Sequence, residues 1–163
     1  MTKALPKRHE VQQLCTLRSL RVQRAREAVA QAQAEVERAA EVVRQRQRDI
    51  ERGQRALEEL LQAVVTSLAP HLPRWSGMTD AQREKLADRL ERDETALIDD
   101  EHELEQAQEK LQAARAELTR ALAREDAVRG LATQTRRAQA MHRERRAELE
   151  VEDQGRRTPG GHG

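Results

Sequence analysis

In this chain of 163 residues 36% are Asp, Glu, Lys or Arg, Phe and Tyr are absent and Trp occurs once, so its core cannot be the aromatic-filled interior of a compact globule. The net charge of +1 excludes a global field drawing it to nucleic acid or to an anionic surface. One cysteine, Cys15, excludes an internal disulfide, and no run of about 18 apolar residues exists to insert in a membrane.

Disorder is the rival reading of so polar a chain, but the apolar residues are strictly periodic. After Pro6, which a first helical turn tolerates, only Gly53 interrupts a helical reading until Pro70, so helix one is expected over about 7–68. Every seventh residue is apolar through Cys15, Val22, Val29, Val36, Val43, Ile50, Leu57 and Val64. Arg18, Ala25, Ala32, Ala39, Arg46, Gly53 and Leu60 interleave with them. Such 3,4 spacing over many heptads calls for a left-handed supercoil with a partner helix.

Two prolines, a glycine and lost periodicity mark a connection over 69–79, with Leu72, Trp75 and Met78 as its apolar residues. Thr79 and Gln82 have capping-box spacing, which predicts a second helix from Asp80 to about Glu152. Its seam is Leu90, Leu97, Leu104, Leu111 and Leu118, interleaved with Leu86, Asp93, Asp100, Ala107, Ala114, Ala121 and Val128. Residues 153–163 read as a disordered tail.

The expected fold is therefore all-α, a long antiparallel two-helix coiled-coil hairpin. Docking the seams at an index sum near 146 or 147 sets Ile50 against Leu97 and Val43 against Leu104, centres the turn on Pro73 and gives Arg46 the acid Asp100. Sliding by half a heptad would place Val43 against Asp100 instead. At 1.5 Å per residue the helices would span about 90 and 105 Å, a rod too thin to enclose a substrate. The part of helix two beyond about Gln139 would have no partner within the hairpin.

The five histidines lack the i,i+3 or i,i+4 neighbours of a metal site. No phosphate-binding loop, nucleophile set or cofactor motif occurs, so neither enzyme activity nor a cofactor is expected. Cys15 reads as a small seam hydrophobe. Met1–Leu20 lacks the apolar stretch of a signal peptide, which makes a cytoplasmic location the expectation.

Charge is segregated along the chain. Met1–Arg26 and Arg129–Arg146 are basic, Asp80–Glu109 is acidic, and the hairpin register brings the two basic stretches together. The bland alternative is an ordinary solvated coiled-coil face; a docking tip for an acidic partner is the sharper reading. Trp75, with Leu72 and Met78, either plugs the end of the seam or anchors a partner.

The run Leu14-Cys15-Thr16-Leu17-Arg18-Ser19-Leu20-Arg21-Val22-Gln23-Arg24-Ala25-Arg26, opening a two-helix hairpin that fills most of the chain, resembles the FliJ/YscO family of type III secretion stalk proteins. The resemblance implies a non-enzymatic stalk seated in a hexameric export ATPase, in contact with an export gate protein at the inner membrane. It implies that Arg18, Arg21, Arg24, Arg26, Arg136, Arg137, Arg143, Arg145 and Arg146 belong to the end that enters the ring. Flagellar members carry aromatic residues along the stalk and this chain has none there, so an injectisome-type member fits better, with secretion chaperones as further partners. The competing readings are a passive coiled-coil adaptor that dimerises beyond Gln139, and nucleic-acid binding, disfavoured because no aromatic stands among the basic residues to stack on bases.

Overall fold

The computed structural model describes residues 7–66 and 72–157, and the side chains among them except those of 72–75 and 157. Two helices, α1 (Arg8–Thr66) and α2 (Leu72–Arg157), account for nearly all of it and pack against each other as a hairpin. α1 opens on a half capping box. The Lys7 amide donates to Glu10 Oε2 at 3.1 Å, and the Val11 amide donates to the Lys7 carbonyl at 3.2 Å as the first backbone bond. Glu10 also places a negative charge in the first turn, where the helix dipole favours it.

α2 begins at Leu72, eight residues before Asp80, and residues expected to form the connection belong to its first turns. Pro73 fits there because a first-turn amide needs no acceptor. Thr79 does not cap a helix: its hydroxyl donates to the Ser76 carbonyl at 2.9 Å, and the side chain is buried one heptad before Leu86. It extends the seam that the sequence reading closed too early. At the other end helix continues through residues 153–157, where a disordered tail was expected. Residues 67–71 and 158–163 lie outside the described residues.

Contacts divide the chain into two compact units. Unit one is Met1–Glu27 with Arg115–Gly163, and unit two is Ala28–Ala114. In unit two, Ala32, Val43 and Ile50 of α1 and Ala107 and Leu111 of α2 are buried. Val29, Val36, Leu57, Leu90, Leu97 and Leu104 are half-buried on the same 3,4 positions. Unit one buries Val11 and Val22 of α1 and Ala121 and Val128 of α2, with Glu125 and Thr135 also in the seam. Among the described residues no large side chain is fully enclosed, as a two-helix seam dictates, so each layer contributes toward the low end of about 1.5–3 kcal/mol.

The contact register differs from the expected one. A Cβ on Gly53 would lie 3.5 Å from Leu90 Cδ1, a pair whose indices total 143. Arg46 bonds both Asp93 and Asp100, one heptad apart, and so faces the position midway between them. Both observations put unit two half a heptad from a sum of 146 or 147, in the register that sets Val43 beside Asp100. The physical reason is the reach of arginine. Its planar fork serves two carboxylates at once from a position level with neither, and Asp100 at the height of Val43 leans along the seam to meet it.

In α2 every residue from Ala140 to Arg156 is exposed, and Gln139 is the last half-buried one. No helix among the described residues is long and apolar enough to cross a membrane.

Candidate functional site

The site is built on unit one. Arg18, Arg21 and Arg24 recur at three-residue steps on α1, so they climb one flank of the helix beside the seam. They meet Arg124 of α2 around a hollow of about 380 Å³ whose floor is Ala25 and Ala121. Two alanines in adjacent seam layers leave room that larger residues would fill. Glu117 is the one acidic residue in its lining and forms an ion pair with Arg120 at 3.5 Å.

Among the described residues, none of Arg18, Arg21, Arg24 and Arg124 has an ion pair or a hydrogen bond, and Arg18 Nε is buried without a partner. That is costly for a donor removed from water. The neighbouring seam acid does not relieve it. Glu125 is 7% exposed, accepts from the Ser19 hydroxyl at 2.7 Å and from Arg129 Nη2 at 3.0 Å, both through Oε1.

The other predicted arginines are spread more widely. Arg26 is exposed on α1 outside the hollow; Arg136 lines a smaller hollow of about 110 Å³ with Arg8, Val11, Cys15 and Thr135. Arg137 is exposed, and Arg143, Arg145 and Arg146 stand on the wholly exposed part of α2. The structure thus gathers three of the nine and adds Arg124, which sequence reasoning missed. Its proximity was encoded in the register, since a sum of 143 brings it within a turn of Arg18 and Arg21.

Unit two handles its charges differently. Arg46 Nε donates to Asp100 Oδ2 and its Nη1 donates to Asp93 Oδ1, both at 3.0 Å, with the acids only 15% and 17% exposed. The bond to Asp100 raises the Arg46 guanidinium further above its ordinary value, against the opposing effect of burial. Arg44 and Arg48 both donate to Glu41, at 2.6 and 2.8 Å, and those bonds hold its carboxyl below the usual range. Arg52 does the same to Asp49, with burial opposing. Ion pairs also join Arg55 to Glu51, Arg83 to Asp80 and Arg89 to Asp93.

Of the apolar trio proposed as a contact, Met78 is 59% exposed on α2, whereas the side chains of Leu72 and Trp75 lie outside the described residues. Cys15 is half-buried on the seam. No group of three or more His, Cys, Asp or Glu among the described residues could hold a metal ion. His9 and His102 each bond a glutamine one turn on, Gln13 and Gln106. No protein-family model, curated protein or solved structure matches the chain.

Proposed function

We propose that this hairpin is a non-enzymatic stalk of a bacterial type III secretion system, held by unit one within a hexameric export ATPase, where it promotes ring assembly or couples hydrolysis to an export gate. The observation that carries the reading is the gathering of Arg18, Arg21, Arg24 and Arg124, unpaired, on one hairpin flank. Arginines left without acids gain the chain no stability through pairing, but they strengthen encounter with an acidic surface. The resemblance of the segment 14–26 to the FliJ/YscO family supports the choice of partner, and the lack of stalk aromatics favours an injectisome over a flagellar system, with secretion chaperones as further partners. Such a stalk would work in the cytoplasm beside the inner membrane, without a cofactor. Co-elution with the cognate ATPase by size exclusion tests this. Wild-type chain should co-elute with the ring and Arg18→Glu/Arg21→Glu/Arg24→Glu should not; undiminished co-elution of the variant would remove the proposed docking surface.

The second reading, a passive adaptor, is favoured by one feature. Ala140–Arg156 is helical yet wholly exposed, with Met141, Leu149 and Val151 each more than half accessible. A dilution-stable dimer in light scattering that dissociates on truncation after Gln139 would establish it; a monomer at all concentrations would dismiss it.

A further inference from the structure

We infer that the hollow between Arg18, Arg21, Arg24 and Arg124 is a receptor for clustered carboxylates, two or more Asp or Glu side chains displayed by a protein partner. The inference deepens the docking reading, from which it takes the location; the ligand chemistry comes from the hollow itself. Four arginines line a space of about 380 Å³ and none is committed to an internal acid. A carboxylate entering over Ala25 and Ala121 would meet the guanidinium forks, each of which can donate two parallel hydrogen bonds to one carboxylate.

Two features select carboxylates over phosphates. Unit one contains no Phe, Tyr or Trp, and none of its histidines lines the hollow, so a nucleic acid would find no stacking surface there. Glu117 stands in the lining, where it opposes a dianionic phosphate more strongly than a singly charged carboxylate. The alanine floor offers no competing polar group.

The test uses the full chain and two probes, a fluorescently labelled octa-glutamate peptide and inorganic pyrophosphate, with affinity read by anisotropy at fixed ionic strength. Arg18→Lys keeps the charge but removes the planar fork, and should weaken peptide binding by about tenfold. Arg124→Gln, at an exposed position that does not touch folding, should weaken it comparably. Arg26→Gln, which removes the same charge outside the hollow, should change it by less than about twofold. Equal loss in Arg124→Gln and Arg26→Gln with no loss in Arg18→Lys would reduce the effect to general electrostatics and overturn the proposal. Pyrophosphate displacing the peptide at a lower concentration than unlabelled peptide does would overturn the choice of carboxylate. ATPase docking that persists in a chain unable to bind the peptide would sink the receptor and leave the stalk; peptide binding without ATPase docking would do the reverse.

Discussion

The two units share one seam pattern and spend their charges in opposite ways. Unit two carries 12 Lys and Arg against 19 Asp and Glu, and its arginines 44, 46, 48, 52 and 55 on α1 all have an acid partner. Unit one carries 18 against 10, and the arginines around its hollow have none. Exposed pairs one turn apart add only about 0.3–0.5 kcal/mol each, so unit two gains little stability from its pairing. What it gains is a run of neutralised arginines from 44 to 55. The difference teaches that fold and partner binding draw on separate residues here: apolar heptads hold both units together, while the charges between them decide which unit is left reactive.

The largest expected effect concerns the seam. Leu111→Ala removes a buried layer of unit two and should destabilise it by about 3 kcal/mol, with amide hydrogen-exchange protection lost first over 28–114. Val22→Ala, the corresponding cut in unit one, should lower protection first over 7–27 and 115–139. Protection falling uniformly in either variant would break the division on which the comparison rests.

Next comes the clasp at Arg46. Asp93→Asn with Asp100→Asn leaves a guanidinium 31% exposed in the seam without a countercharge, and Tm should fall, though less than in Leu111→Ala. Adding Arg46→Leu should restore it, because an apolar layer replaces an orphaned charge. No recovery would mean that the arginine does more than answer those two acids.

Gly53→Ala should raise stability by up to about 1 kcal/mol, since the new Cβ meets Leu90 at ordinary van der Waals distance and alanine is the better helix former. A loss instead would show that the contact register of unit two is tighter than a sum of 143 describes.

The smallest effect is in pH. Glu41 and Asp49 have folded pKa values below their unfolded ones, so their contribution is fully present above the unfolded carboxylate range, about pH 4, and disappears as pH falls through the lowered folded values. Hydrogen-exchange protection around residues 41–55 should therefore decline in that window, and Glu41→Gln with Asp49→Asn should flatten the decline. An unchanged profile would deny the pairs any energetic part in unit two.

Much of this was legible in the sequence, and the misses share a cause. The all-helical hairpin, the two seams and the neighbourhood of Arg46 and Asp100 follow from apolar periodicity, which a coiled coil repeats over many heptads. The half-heptad offset was hidden because Arg46 was read as a short residue needing an acid at its own height. α2 begins at Leu72 for a related reason: Thr79 has the spacing of a cap, but as a buried seam residue it extends the heptads. Arg124 escaped notice because net charge along a sequence does not show which flank of a helix a residue occupies. Of the nine arginines singled out, those at 18, 21 and 24 converge because three-residue steps keep them on one flank; Arg26 and Arg137 fall elsewhere on the helical wheel.

The most direct test sets the two units against each other in one ATPase assay. Arg18→Glu/Arg21→Glu/Arg24→Glu reverses three unpaired charges of unit one; Arg38→Glu/Arg52→Glu/Arg55→Glu reverses three in unit two. With the cognate export ATPase, the first variant should lose the stimulation that wild-type chain gives, and the second should retain it. Stimulation undiminished in the first, or lost equally in both, would contradict the claim that unit one's free arginines are the docking surface.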